Sequence, residues 1–283
     1  MILIDSNSIC HQCKHAIGSL SWEDKKVGII FGFIRQILIL SKLFKTDQFV
    51  FVWDSRESLR IKMFPDYKKA RRHEKSNEEK EFDHIAYSQF DLVRKEILPE
   101  IGFVNNFMLE GYEADDLIAS IIQTNKKESF VIVSTDEDLY QLLSDQVIMY
   151  STRKKQNYTA LNLWKDYKIT PKEWGEVKAI AGCSTDGVPG VPHVAEVTAS
   201  KYLNRKLSRT QKTFRTIQNS EELIKRNRTL VILPLKGTPA ISLIPKESLD
   251  FKKFMIICSR YGFQSFLNKD TLQQWKENIF KGK

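Results

Sequence analysis

Acidic residues recur directly after apolar runs of the kind that form buried parallel strands. The carboxyl ends of parallel strands meet at one rim of a sheet, which is where ligands bind in open α/β folds. Further acids stand at the start of a predicted helix, where the helix dipole offsets clustered negative charge. The acids that four segments would deliver to this rim are Asp5, Asp54, Glu113, Asp115, Asp116, Asp136 and Asp138.

Carboxylates gathered in one place repel each other and raise each other's pKa unless cations neutralise them. Hard oxygen ligands in this number suit Mg²⁺, with Mn²⁺ as a substitute. Two such ions about 4 Å apart can activate a water and stabilise the leaving oxygen of a phosphodiester. A single Asp after a strand is as often a helix cap or a turn former, but the convergence of separate segments favours a two-ion site.

Short apolar runs alternate with helical patterns, which indicates an α/β fold with a central, mostly parallel sheet flanked by helices. Apolar residues recurring every three to four positions predict helices at 27–43, at 114–124 and, later, across 164–181. One further strand is expected at 229–234. The four runs that predict the central strands are residues 1–4, 49–53, 130–134 and 147–150.

The charge distribution divides the chain into a near-neutral part and a basic part. Residues 201–283 contain 18 Lys and Arg against 6 Asp and Glu, a net of +12, so the first 200 residues carry −3 of the total +9. A catalytic part joined to a phosphate-binding part would show this pattern. We expect an α/β catalytic domain at 1–160, with an insertion at about 56–100, and a basic, mainly helical region at 161–283.

Cysteine and histidine at positions 10 to 15 suggest a zinc site at first sight. The group contains Cys10, His11, Cys13 and His15, but no second pair exists elsewhere in the chain to complete a structural site. Cys10 and Cys13 are spaced as on the buried face of a helix, and we favour this helical interpretation over a zinc site.

The start of the chain lacks the pattern of a signal peptide, and no apolar stretch is long enough to span a membrane.

Six segments, in this order, resemble the 5′-nuclease or flap-endonuclease family, in particular the phage enzymes and the 5′-nuclease domain of bacterial DNA polymerase I. The ordered set is specific, although no single piece is. The segments are Ile-Asp at 4–5, Val-Trp-Asp at 52–54, Phe-Pro-Asp-Tyr-Lys-Lys-Ala-Arg at 64–71, Gly-Tyr-Glu-Ala-Asp-Asp at 111–116, Ser-Thr-Asp-Glu-Asp at 134–138, and the loop 182–191.

The resemblance implies a PIN-like fold with a helical arch at the insertion, and it implies roles for individual residues. Lys68 and Arg71 would contact the scissile phosphate, and Tyr67 could stack on a base. The basic neighbours Lys69, Arg72 and Lys178 would contact nucleic acid. The first metal would be held by Asp5, Asp54, Glu113, Asp115 and Asp116, directly or through water, and the second by Asp136, Asp138 and Asp186.

Two stretches depart from the family pattern. In the loop 182–191, Cys183 stands where the family has a carboxylate of the second metal site, and a thiol is a poor ligand for Mg²⁺. The family's helix-hairpin-helix then has a Gly-x-Gly turn followed by Lys. Here His193 and Ala195 replace the glycines and Val197 replaces the lysine, so the motif is degenerate.

The resemblance implies a metal-dependent 5′-3′ exonuclease and 5′-flap endonuclease that leaves 5′-phosphates. DNA with 5′ ends, flaps or nicks would be its substrate, RNA–DNA hybrids a further one, and replication proteins candidate partners. We expect a monomer in the cytoplasm, or in the host cytoplasm if the chain is phage-encoded. A catalytically weakened protein that binds flap or branched DNA is the alternative, because of Cys183. A third hypothesis, a ribonuclease of the PIN type, accounts for the acidic residues. It does not explain the basic insertion or the long basic C-terminal region.

Overall fold

The computed structural model describes residues 1–72 and 76–281, with the side chains of Arg71 and Arg72 outside the described part. Ten strands occur in it, most of them short. They are β1 (Ile2–Asp5), β2 (Ser21–Trp22), β3 (Lys25–Lys26), β4 (Phe49–Val52), β5 (Asn106–Phe107), β6 (Phe130–Val133), β7 (Val147–Ser151), β8 (Gln156–Tyr158), β9 (Gly182–Cys183) and β10 (Val188–Pro189).

Helices make up most of the remaining structure. Short 3₁₀ helices lie at Lys69–Arg72, Glu137–Leu142 and Ser184–Asp186, and a π-helical turn at Val93–Ile97 joins two α-helices. The α-helices in the described part are α1 (Ser6–Ile17), α2 (Gly28–Phe44), α3 (Leu59–Met63), α4 (Asn77–Leu92), α5 (Leu98–Ile101), α6 (Ala114–Thr124), α7 (Ala160–Tyr167), α8 (Pro171–Ala181), α9 (Glu196–Leu203), α10 (Lys212–Gln218), α11 (Glu221–Val231), α12 (Phe251–Arg260), α13 (Gln264–Leu267) and α14 (Lys269–Asn278).

The chain folds into two compact units, each made from separate stretches. The predicted boundary at residue 160 separates a catalytic domain from a basic, mainly helical region by function and not by compactness, and it stays a prediction. The first unit comprises Met1–Trp53, Lys75–Phe107 and Ser242–Lys283, and the second comprises Asp54–Glu74 and Met108–Ile241.

Within the first unit, parallel strands lie in the order β5-β4-β1. Every residue of β1 and β4 is buried, because both faces of these strands are covered. Ile30, Phe33 and Ile37 recur at helical spacing on the buried face of α2. Burial of each such side chain stabilises the fold by about 1.5–3 kcal/mol, so this packing fixes where β1 and β4 end.

Within the second unit, β6 is parallel to β7 and β8 is antiparallel to β7. Trp174 of α8 is fully buried, and its indole Nε1 donates to the carbonyl of Glu137 at 2.7 Å. Asn227 of α11 is also fully buried and donates to the carbonyls of Ala179 and Pro189, both at 2.9 Å. These contacts fix α8 and the loop after it against the 3₁₀ helix that follows β6.

The predicted α/β class, with a mostly parallel sheet flanked by helices and a helical C-terminal part, is confirmed. Within the described residues, no helix is both long enough and apolar enough to cross a membrane.

Cys10 and Cys13 are buried on the inner face of α1, as the helical spacing predicted. No zinc-type group that includes them occurs in the described part of the chain.

The strand predicted at 229–234 is wrong. Residues 229–231 form the last turn of α11, whose buried face includes Ile224, Asn227 and Leu230. The apolar run at 230–233 resembles a strand by composition, but its first residues continue a helical face that begins before it. The helix ends ahead of Pro234, which cannot continue the hydrogen-bond ladder.

Candidate metal centre

Three acids of the second unit lie at or near the N-terminus of α6. Glu113 directly precedes the helix and Asp115 lies in its first turn. Asp54 approaches from another segment, and its Oδ1 accepts the Ala114 N–H at 2.8 Å. The positive end of the helix dipole and the N–H groups of the first turn favour negative charge here. Asp54, Glu113 and Asp115 offer carboxylate oxygens around one helix start, the type of donor that hard divalent cations prefer, but within the described residues their ligand atoms do not all lie within 4.8 Å of one another.

Asp116 is used differently from its neighbours. It is 0% exposed, and the guanidinium of Arg60 donates to both of its oxygens at 2.5 and 2.8 Å. The backbone N–H of Leu235 donates to the same carboxylate at 2.8 Å. Its oxygens are thus taken up by the protein, so in this conformation Asp116 anchors α6 rather than facing an ion directly.

Sequence reasoning missed Arg60. This arginine is 2% exposed, and its Nε also donates to the carbonyl of Leu230 at 2.7 Å. The charges of Asp116 and Glu113 raise its pKa although burial alone would lower it. Residues 55–75 include eight Lys and Arg, and neither type nor spacing distinguishes the one that is buried.

A second group of donors lies beyond β6 and in the loop after α8. Single ligand atoms of Asp138, Cys183 and Asp186 all lie within 4.8 Å of one another, and the three residues are buried. Asp136 precedes this group as the N-cap of a 3₁₀ helix, its Oδ1 accepting the Asp138 N–H at 2.8 Å. The spacing fits donors that share one cation.

Asp138 is buried near both another carboxylate and an ammonium. Burial, followed by the charge of Asp136, raises its pKa to about 6 although the ammonium of Lys178 lies 3.1 Å away. Burial alone would lower the pKa of Lys178, but Asp138 raises it above its usual value. Lys178 is only 7% exposed, and its ammonium also lies 3.4 Å from a carboxylate oxygen of Glu196.

Cys183 occupies a donor position but does not supply an anion. Burial, followed by the charge of Asp138, raises the pKa of its thiol to about 11. Its Sγ lies 3.1 Å from the hydroxyl of Thr185. A protonated thiol is a weak ligand for a hard cation, so the second group has two strong oxygen donors where a carboxylate at position 183 would make three.

Tyr67 and Lys68 connect the two groups of acids. The Tyr67 hydroxyl lies 2.9 Å from Oε2 of Glu113 and 3.1 Å from Oδ2 of Asp186. The Lys68 ammonium lies 3.0 Å from Oε2 of Glu113 and 3.9 Å from Oδ1 of Asp186. Burial would raise the pKa of Glu113, but Lys68 and Arg60 outweigh burial and lower it. Tyr67 is 3% exposed, so its ring is not open to a stacking base in this conformation.

The other predicted site residues are Asp5, Lys69, Arg71 and Arg72. Asp5, in the first unit, caps α1 by accepting the Ser8 N–H at 3.0 Å. Lys69 is exposed and pairs with Asp66 at 2.9 Å. The side chains of Arg71 and Arg72 lie outside the described residues, although their backbone belongs to a 3₁₀ helix.

The loop before α9 contains a residue with left-handed backbone geometry that is not glycine. His193 has φ 63°, in the left-handed region that glycine adopts most readily. Ala195 is the N-cap of α9 and provides no side-chain hydrogen bond to the helix. Val197 is 52% exposed, so the position that is lysine in the family faces solvent here.

Comparison with known proteins places these features in a family. A model described as "5'-3' exonuclease, N-terminal resolvase-like domain" matches residues 1–168. The 5'-3' exonuclease of Buchnera aphidicola subsp. Acyrthosiphon pisum is 28% identical over 285 residues, which cover 95% of this chain and 96% of that protein. DNA polymerase I of Bacillus caldotenax is 27% identical over 95% of this chain, which matches 32% of the polymerase.

A solved structure supports the fold assignment. The D15 flap endonuclease of bacteriophage T5, in a complex with DNA and metal ions, superposes with a TM-score of 0.71 at 20% identity. The superposition covers 96% of this chain and 98% of that one. The resemblance inferred from the six sequence segments is thereby confirmed, and the chain belongs to the 5′-3′ exonuclease family of phosphodiesterases.

Proposed function

We propose that this protein is a metal-dependent 5′-3′ exonuclease and 5′-flap endonuclease that hydrolyses phosphodiesters and leaves 5′-phosphates. The observation that carries the proposal is the pair of acidic groups in the second unit, one at the start of α6 and one at Asp138 and Asp186, linked through Tyr67 and Lys68. Structural cores rarely gather buried carboxylates in this number without a cation to neutralise them.

Two divalent ions are the proposed cofactors, with Mg²⁺ favoured and Mn²⁺ as a substitute. The donor chemistry fits, because carboxylate oxygens dominate both groups. Bound there, such ions supply an activated water and stabilise the leaving oxygen. Asp54, Glu113 and Asp115 would hold the first ion, with Asp5 and Asp116 as further donors, directly or through water. Asp136, Asp138 and Asp186 would hold the second.

The chain's own cations have separate proposed roles. Lys68 and Arg71 would contact the scissile phosphate, where fixed positive charge stabilises the charge that develops during cleavage. Lys69 and Arg72, next to them in sequence, would contact the flanking strand. Lys178 would hold Asp138 in place as a positioning residue, as its 3.1 Å ion pair suggests. Tyr67 would orient Glu113 and Asp186 in the state described here.

The proposed substrates are DNA with 5′ ends, flaps or nicks, and RNA–DNA hybrids as in primers. The basic segment 201–283 would hold duplex through phosphates, with little sequence preference and strong salt dependence. Removal of flaps and primers during DNA replication and repair is the corresponding role, with replication proteins as partners. We propose that the protein acts as a monomer in the cytoplasm, or in the host cytoplasm if it is phage-encoded.

A substrate panel tests the proposal. The protein is incubated with 5′-flap, nicked, single-stranded and RNA-primed duplexes of equal length, each with Mg²⁺, Mn²⁺ or EDTA. We expect cleavage near the flap junction and from 5′ ends, with 5′-phosphate products and no cleavage in EDTA. Cleavage that persists in EDTA, or that proceeds from 3′ ends only, would contradict the proposed mechanism.

A second candidate function follows from Cys183. Because its protonated thiol stands in the donor group with Asp138 and Asp186, the second ion would be held weakly. The protein would then bind flap or branched DNA with little cleavage. The same panel separates the two candidates, since tight binding to flaps without products at any metal concentration favours the binding protein.

A further inference from the structure

The ammonium of Lys68 lies between carboxylates that are proposed to bind metal ions. It is within 3.9 Å of carboxylate oxygens from both acidic groups, Glu113 and Asp186. The charges of these two residues raise the pKa of Lys68 above its usual value although burial would lower it. The neighbouring Tyr67 hydroxyl contacts the same Glu113 oxygen. Two proposed metal donors are therefore already neutralised by the protein itself.

The backbone holds Lys68 in this position. Its N–H donates to the Asp186 carbonyl at 2.6 Å, and its φ of 52° is in the left-handed region, which is unfavourable for a residue with a side chain. Gly187 permits the approach, because a Cβ at this position would lie 3.0 Å from the Asp66 carbonyl oxygen. The segment 66–69 thus packs closely on the loop that carries Asp186, in a conformation that the local sequence does not favour by itself.

We propose that Lys68 is a tethered counter-cation, which occupies the donor oxygens of Glu113 and Asp186 until divalent ions displace it. The inference rests on the metal sites of the proposed function. An ammonium 3.0 Å from Glu113 and a divalent ion on the same oxygen repel each other, so each lowers the affinity of the site for the other. Ion binding would release Lys68 from Glu113 and free it to contact a phosphate, which couples metal loading to the position of the segment 66–69.

Direct measurement of Mn²⁺ binding without DNA tests this inference. Free and bound Mn²⁺ are distinguished by electron paramagnetic resonance for the wild type, Lys68→Met and Lys69→Met. Lys69 is the matched control, because it is adjacent, has the same charge, and pairs only with exposed Asp66 among its described ion pairs. We expect Lys68→Met to bind Mn²⁺ about tenfold more tightly, equivalent to about 1.4 kcal/mol, with Lys69→Met close to wild type.

A second measurement follows the backbone in the wild type. Mn²⁺ is expected to speed hydrogen exchange of the Lys68 amide, because that N–H is bonded to Asp186 only in the docked conformation. Tyr67→Phe removes the hydroxyl contact while keeping the ring, and we expect a smaller gain in Mn²⁺ affinity from it. Circular dichroism checks that each variant is folded.

The inference is overturned if folded Lys68→Met and Tyr67→Phe bind Mn²⁺ no more tightly than the wild type, or if no form binds it. Its failure is separable from that of the proposed function. If the wild type cleaves flaps and Lys68→Met binds Mn²⁺ no more tightly than the wild type, only the role of Lys68 as a counter-cation is refuted. Tighter Mn²⁺ binding in that variant, without cleavage of any substrate by the wild type, would refute only the nuclease activity.

Discussion

Cys183 is the residue at which this chain differs most in chemistry from its family's pattern. Its thiol has a pKa of about 11 because of burial and the charge of Asp138, so it remains neutral at physiological pH. Replacement by aspartate would restore a third oxygen donor beside Asp138 and Asp186. We expect Cys183→Asp to raise Mg²⁺-dependent flap cleavage at least about tenfold, which corresponds to about 1.4 kcal/mol of activation free energy.

The control for this change is Cys183→Ala, which removes the thiol and adds no donor. Single-turnover rates at limiting Mg²⁺ are the appropriate measurement, since saturating metal would hide a weak site. An equal gain in both variants would mean that the thiol obstructs the site sterically, and no gain in Cys183→Asp would mean that Cys183 does not limit the second ion.

Arg60 makes a separate contribution through folding. Its bidentate pair with Asp116 is fully buried, and removal of one partner leaves an uncompensated charge in the interior. We expect Arg60→Met to lower the free energy of unfolding by about 3–5 kcal/mol, as measured by urea denaturation. Arg228→Met is the control, because Arg228 is 44% exposed in its pair with Glu176, and such pairs contribute about 1 kcal/mol or less. Similar losses in both variants would contradict the structural role given to Arg60.

The side chains of the site were predictable only in part. Asp54, Glu113 and Asp138 could be identified because acids at strand ends and helix starts are visible in sequence, whereas Asp186 was identified only through the resemblance of the loop 182–191 to the family. Their partners could not, since burial of Arg60, Lys178 and Tyr67 depends on which segments pack together. A lysine or tyrosine in a basic, polar stretch is usually exposed, and only tertiary contacts reveal the exception.

At the level of elements, the central strands were predictable from short apolar runs and the helices at 27–43 and 114–124 from their periodicity, whereas the helical pattern across 164–181 is divided between α7 and α8. Strands β1, β4, β6 and β7 fall within one or two residues of the apolar runs. The strand expected at 229–234 failed because a short apolar run has no periodicity of its own, and the preceding turns of α11 decided its conformation. Helix boundaries in the insertion were not foreseen, since capping and π-helical turns there depend on local packing.

Helix α9 provides a prediction about duplex binding. Val197 is exposed on this helix, at the position where the family has lysine. We expect Val197→Lys to add one phosphate contact, so the slope of log affinity against log salt becomes steeper by about 0.9. Fluorescence anisotropy with a nicked duplex in EDTA measures binding without cleavage. Val197→Gln controls for polarity alone, and an unchanged slope in Val197→Lys would show that α9 does not face the duplex.

For the whole molecule, the family assignment and the charge distribution support the same function. The family model covers residues 1–168, and the excess of positive charge lies beyond residue 200. Composition alone would have supported only a weak preference for nucleic acid. Recognition came from the order of six short segments, each of which is unspecific by itself, and the structure brings ligand atoms of Asp138 and Asp186, from two of those segments, within 4.8 Å of each other.

The central claim is that carboxylates at the start of α6 support metal-dependent cleavage. Asp115 tests it best, because it lies in the first turn of α6, whereas Asp116 is committed to Arg60. The measurement is the single-turnover cleavage rate of a 5′-flap duplex in Mg²⁺ for the wild type, Asp115→Ala and Asp145→Ala, the last being an exposed acid outside the site. We expect Asp115→Ala to lose roughly a hundredfold or more while Asp145→Ala matches the wild type. Wild-type rates in folded Asp115→Ala would contradict the claim.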